Sequence, residues 1–268
     1  MRAIDRCPGR EVAAADATRW VAALGGLAFV LPSILIGIRL LALAARTRKT
    51  PELWIGLALL LMGGLGYPLI MTARMAVRIP DPTRIGLMAL ATVLMGVGTL
   101  AIGVFNWRVF RSHERWPLWA MVAAGISMLA CMGFQLVDPG LAAAAFENRG
   151  LGFRIFLLHS GLLTGWGAFE SLRAWSRLRR RQRLGLADAV VTERLLLWAI
   201  ASLASGTVSA ASGIAGFLGI NFAATSLGAA VTAPRGLVAA GSMWLAFLPP
   251  AAFLRRVKVR AAAAAVPG

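Results

Sequence analysis

The chain has 268 residues, 59% hydrophobic and 15% charged, with a mean hydropathy of +0.73 and a formal charge of +17. A soluble domain carries about 25% charged residues and interrupts its apolar runs with them, so this composition belongs to a membrane protein. The positive charge would suggest nucleic acid in a soluble chain. Here loop topology and attraction of arginines to anionic lipid headgroups account for it, and no nucleic-acid partner is expected.

Seven uncharged runs follow one another: 20–38, 53–73, 85–107, 116–137, 155–169, 195 to about 219, and 236–254. A hydrocarbon core of about 30 Å needs roughly 20 helical residues, and six runs reach or nearly reach that length. The fifth, bounded by Arg154 and Glu170, spans only if 151–153 and 171–172 join it with the flanking charges at the interfaces.

In chain order, residues 1–18 read as a short outer tail. Arg2, Asp5, Arg6, Arg10, Glu11 and Asp16 leave no apolar stretch for a signal peptide, and Cys7 lacks the setting of a lipoprotein signal. Pro32 and Pro68 should kink the first two helices. Asn106 near the inner end of the third should cap or bridge helices. The fourth carries Cys131 and ends at the turn Asp138-Pro139-Gly140. Cys7 and Cys131 give neither a disulfide framework nor a metal spacing.

The fifth run holds Gly161 and Gly165 as a GxxxG. A basic gap follows, in which Arg179, Arg180, Arg181 and Arg183 suit lipid headgroups. The sixth run presents Ala201, Ser205, Ser209 and Gly213 at four-residue spacing, a face for close packing with a water-lined path as the alternative. Residues 221–234 read as an outer loop, with re-entry into the membrane as the alternative. The seventh run should kink at Pro249 and Pro250. Indoles including Trp54, Trp107, Trp116, Trp119, Trp175 and Trp198 fall where membrane interfaces are expected. The domain layout is an outer tail (1–18), a seven-helix transmembrane domain (19–256) and a cytoplasmic tail (257–268).

Orientation follows from the basic residues. With the N-terminus outside, the cytoplasmic gaps hold eighteen Lys and Arg and the outer segments ten, as the positive-inside rule requires. The expectation is an all-α, polytopic bundle of seven helices, N-out and C-in. Arg-over-Lys usage with abundant Ala and Gly is compatible with a high-GC bacterial source, hence with multi-pass insertion in the cytoplasmic (inner) membrane.

Polar groups at membrane depth are costly, so each marks a candidate. At about 1.5 Å per residue, His159 and Trp244 lie about 12 Å below the outer surface and Tyr67 about 9 Å. Gln135 is near the rim. If those four faces converge, they line an outward-open pocket with aromatic walls for a small apolar ligand. Taken singly, Tyr67 and Trp244 are packing residues and His159 is a core histidine bonded to a carbonyl. Glu170 has Arg173 at i+3 and Arg177 further along the same side, a local ion pair, with a proton relay as the alternative.

No lysine lies in any run to form a retinal Schiff base, and the second histidine, His113, lies in a gap, so paired haem ligands are excluded. No HExxH, GxSxG or P-loop pattern occurs. No catalytic residue, metal or cofactor is expected, and enzymatic activity is not.

Three stretches carry a resemblance: 46–53 (Arg-Thr-Arg-Lys-Thr-Pro-Glu-Leu), Arg179 to Asp188 with 195–198, and 244–253 (Trp-Leu-Ala-Phe-Leu-Pro-Pro-Ala-Ala-Phe). They resemble a group of bacterial seven-helix inner-membrane proteins without established activity, which implies a fold and nothing further. Pro250 and Phe253 are also similar to the Pro-x-x-aromatic element of G-protein-coupled receptors. Pro249 replaces the asparagine usual there, and Asn106-Trp107-Arg108 replaces the acidic-Arg-aromatic triplet. Three readings follow: a receptor-like or sensory protein with a separate membrane or cytoplasmic partner, a small proton-coupled transporter, or a structural subunit of a membrane complex.

Overall fold

The computed structural model describes residues 8–75, 80–137, 150–220, 222 and 225–265, and no strand occurs among them. The helices are α1 (Pro8–Thr47), α2 (Thr50–Leu59), α3 (Tyr67–Met75), α4 (Asp81–Phe110), α5 (Trp116–Val137), α6 (Leu151–Arg183), α7 (Ala189–Phe217), α8 (Ser226–Phe247) and α9 (Ala251–Ala265). A π-helical stretch, Leu60–Gly66, joins α2 to α3. Four stretches are long and apolar enough to cross a membrane: Ala28–Thr47, Thr50–Ala73, Asp81–Phe110 and Ala189–Phe217. The bent pair α8 and α9 makes a fifth if counted as one. The apolar part of α5, Trp116–Cys131, is shorter. Although α6 is helical throughout, Arg154, Glu170 and its basic end interrupt its apolar character.

The rods turn apolar side chains outward at helical spacing: Leu31, Leu35 and Ile38 on α1, Leu90, Val93 and Val97 on α4, and Val122, Ile126 and Leu129 on α5. Water does not tolerate that much contiguous apolar surface, whereas lipid tails are its natural surroundings. This is a multi-pass membrane protein.

Inside, one cluster joins Ile36 and Leu40 (α1), Ile55 and Leu59 (α2), Trp198 and Ala201 (α7), and Met243 (α8). A second links α3 to α6 through Ile70, Met88, Ala91, Met128, Phe153 and Phe156. Between lipid-solvated helices such contacts act through close packing more than through water release. Trp198 packs inside the bundle. It is 5% exposed, edge-on to Phe105 and Phe247 at 5.5 and 5.9 Å between ring centroids.

Three backbone features set the geometry. Pro68 cannot donate a backbone N–H, and the turns ahead of it relax to π spacing, with the Tyr67 N–H donating to Met62 five residues back. Second, α6 and α7 form a tight hairpin. Gly185 takes φ +70, which lets the Leu186 N–H reach the Arg181 carbonyl at 2.9 Å. Asp188 then caps α7, its carboxylate accepting from the Val190 and Val191 N–H groups. Third, the last span breaks instead of kinking. With Pro249 and Pro250 in succession, α8 stops at Phe247 and α9 leaves at 78°.

Residues 226–234, expected in a loop, are the first turns of α8, where Thr225 caps the helix by accepting from the Gly228 N–H at 3.0 Å. The close-packed seam also differs from expectation. α7 meets α6 through Gly206, Ala210 and Gly213. A Cβ on Gly206 would sit 3.1 Å from the Gly165 nitrogen and 3.2 Å from the Gly161 oxygen, and one on Gly213 would sit 3.0 Å from the Leu158 nitrogen. Ser205 and Ser209 are only half-buried. The four-residue spacing drifts around a helix of about 3.6 residues per turn, whereas steps of three and four keep Ser202, Gly206, Ala210 and Gly213 on one side.

Candidate functional site

The most connected polar group lies where α4 ends. Arg111 follows the last residue of α4, and the short link to α5 is held by the Trp107 indole N–H donating to the Glu114 carbonyl at 2.8 Å. Arg108 lies over the Trp107 ring at 4.8 Å. From this fixed base Arg111 divides its guanidinium. Nε and Nη2 both donate to Glu170 Oε1 on α6 at 2.9 Å, and Nη1 donates to Glu114 Oε1 at 2.5 Å. The other Glu114 oxygen accepts from the Trp116 indole. The Trp166 indole makes a longer contact of 3.4 Å to Glu170 Oε1, and its ring lies 5.6 Å from that of Trp116.

Glu170 therefore does not use the local partner its sequence suggests. Arg173 and Arg177 are exposed, while the Glu170 side chain is 7% exposed and turns inward to an arginine 59 positions away. The reason is packing: α4 lies against α6 and brings the Arg111 guanidinium to Glu170. Asn106, fully buried five residues before Arg111, bridges the same two helices by donating from Nδ2 to the Leu163 carbonyl at 3.1 Å. Gly167 leaves the room: its missing Cβ would lie 2.8 Å from Asn106 Oδ1.

The Arg111 guanidinium, reinforced by the Trp116 indole, holds the Glu114 carboxyl below its ordinary value of 4.5. A depressed folded value means the stabilisation is complete above the unfolded value and is lost as pH falls through the folded one. Melting temperatures of wild type and Glu114→Gln should therefore differ at about pH 7 and converge as the pH falls below 4.5 and through the lower folded value. A gap that persists at acid pH would contradict this assignment.

The four residues proposed to converge engage different neighbours. Tyr67 lies edge-on to Phe29 of α1 at 6.0 Å. His159 Nδ1 bonds the Ile155 carbonyl at 2.8 Å, and Nε2 bonds the Ser127 hydroxyl of α5 at 3.1 Å. Trp244 is 38% exposed on α8. The Gln135 side chain lies outside the described residues, as do Cys7 and the Asp138-Pro139-Gly140 turn. Arg179, Arg180, Arg181 and Arg183 are exposed along the end of α6, with Arg179 stacked 5.0 Å from the Trp175 ring. Among the described residues no group of three or more His, Cys, Asp or Glu could hold a metal ion.

Two arginines that carry contacts here, Arg111 and Arg235, read in the sequence as loop charges only. Nothing local marks Arg111 as the partner of Glu170. Arg235 did carry a signal: it is the single charged residue between Arg194 and Arg255. No family model matches the chain, and neither the curated proteins nor the solved structures contain a match to it.

Proposed function

We propose that this protein crosses a bacterial inner membrane seven times, N-terminus outside and C-terminus inside, and works as a receptor-like or sensory protein. A small ligand enters between helices in the outer half of the bundle, near Tyr67. The response is read at the cytoplasmic ends of α4 and α6. The observation that supports this most is the division of Arg111 between Glu170 on α6 and Glu114 beside α5. One cation with two carboxylates on different elements has two discrete ways to pair, which is what a switching contact needs. The excess of basic residues in alternate gaps supports the orientation. The exposed arginines of α6 then face lipid headgroups or a cytoplasmic partner.

Spin labels at the exposed positions Ser112 and Ser176 test the reading. Wild type should give a narrow distance distribution, and Glu170→Gln a broader or shifted one. Identical narrow distributions would remove the switch. Reporter fusions should place the two termini on opposite sides of the membrane, and finding both on one side ends the proposed orientation. Burial of Glu170 favours one further reading, a proton-coupled transporter. A pH-dependent flux in proteoliposomes that vanishes in Glu170→Gln would support it over the receptor. The α6–α7 seam gives a substrate path little room, because backbone meets backbone there.

A further inference from the structure

We infer that Arg235 anchors a ligand seat between α1, α3 and α8, and that the ligand is a small organic anion, a carboxylate or phosphate on an apolar body. This rests on the outer-half ligand site proposed above and replaces a wholly apolar ligand with a charged one.

The placement is the starting point. Arg235 is the sole charge in the sixty residues from Leu195 to Leu254. Because α8 begins at Ser226, Arg235 stands nine residues inside the helix, about 14 Å from its start, and not at its outer rim. Its face points inward. Gly228, Ala239, Ser242 and Ala246 are buried at steps of seven, four, three and four around it, and Arg235 itself is largely covered. α8 packs against α1, and α1 also touches α3. Tyr67 of α3 lies within electrostatic reach of the guanidinium, and Phe29 of α1 lies against Tyr67.

Chemistry then names the occupant. Inward charges at membrane depth pair with an opposite charge or mark a ligand pathway, and among the described residues no carboxylate pairs with Arg235. A guanidinium presents planar paired donors that match a carboxylate or phosphate. Beside it, Tyr67 and Phe29 offer aromatic surface for an apolar body. Trp244, nine positions further, sits on the opposite side of α8 and takes no part. The same chemistry admits a free anion or the headgroup of an anionic lipid.

Full-length protein in nanodiscs of zwitterionic lipid separates these. 3-Phenylpropanoate at a hundredfold excess over its Kd should raise the melting temperature by about 5 °C. 3-Phenylpropan-1-ol, the same body without charge, should not. Arg235→Gln should lose the response, Arg235→Lys should keep part of it, and Trp244→Ala should keep it all. A shift in phosphatidylglycerol nanodiscs alone, lost in Arg235→Gln, assigns the seat to a headgroup and upholds the anion chemistry. Equal shifts with acid and alcohol, a response that survives in Arg235→Gln, or no shift with acid or anionic lipid overturns the inference. If Arg235→Gln does not fold, the acid and alcohol arms on wild type still decide. A bound anion that leaves the Ser112–Ser176 distance unchanged keeps the seat and removes the receptor reading.

Discussion

Gly161→Ala should sharply reduce folded yield and heat stability, while Gly165→Ala, four residues along the same helix, should be neutral or slightly stabilising. The two glycines share one GxxxG but have different surroundings. A methyl group on Gly161 would stand 2.7 Å from the Ala210 nitrogen and 2.8 Å from its Cα, both backbone atoms that cannot swing away. Accommodating it forces α7 off α6 along the whole seam, a cost of about 3 kcal/mol at the upper end of overpacking effects. At Gly165 a methyl group meets nothing within 4 Å, and alanine favours the helix over glycine by about 1 kcal/mol. Thermal melts of both variants in the same detergent provide the comparison. Equal melting temperatures would mean that α6 and α7 do not approach as described.

Arg111→Ala is the second large effect. It leaves Glu170, only 7% exposed, without its cation, and a buried carboxylate stripped of its partner is far costlier than a buried neutral group. The melting temperature should fall by on the order of 10 °C. Adding Glu170→Gln to Arg111→Ala should restore most of the loss, because the glutamine carries no charge to strand. An exposed, locally paired glutamate would give no such rescue, so the double variant distinguishes the inward pairing from a surface one. Glu114→Gln alone should be milder, since that side chain is 39% exposed and water compensates.

Much of the architecture could be read from patterns with a direct physical cause. Uncharged runs gave the helices: the first five lie within helical structure, the sixth runs two residues past α7, and the seventh is divided between α8 and α9. Boundaries were harder wherever capping and not hydropathy decided them. The start of α8 depends on the Thr225 hydroxyl, a cue of one residue inside an uncharged stretch. Proline marked the right places but not the outcomes: Pro68 follows π-helical turns, and the Pro249-Pro250 pair ends a helix. The candidate site was least legible because its bonds are long-range. The sequence near Glu170 offers Arg173, and only the packing of α4 on α6 brings Arg111 closer. Asn106 was readable as a bridge because a buried amide must find partners, though its acceptor on Leu163 was not. Counting residues assigns a depth to Tyr67 and Trp244 but says nothing of azimuth.

The π-helical stretch Leu60–Gly66 has a consequence for that azimuth. A wider turn holds one residue more than an α-turn, so everything after it is rotated by about 100° from where an uninterrupted helix would point it. The Tyr67 ring lies beside Phe29 because of that phase offset. The insertion thus sets the aim of the phenol: a lineage that lost a single residue between Leu60 and Gly66 would return to α spacing and keep the phenol beside Phe29, whereas the same stretch at full length wound as plain α-helix would turn it away.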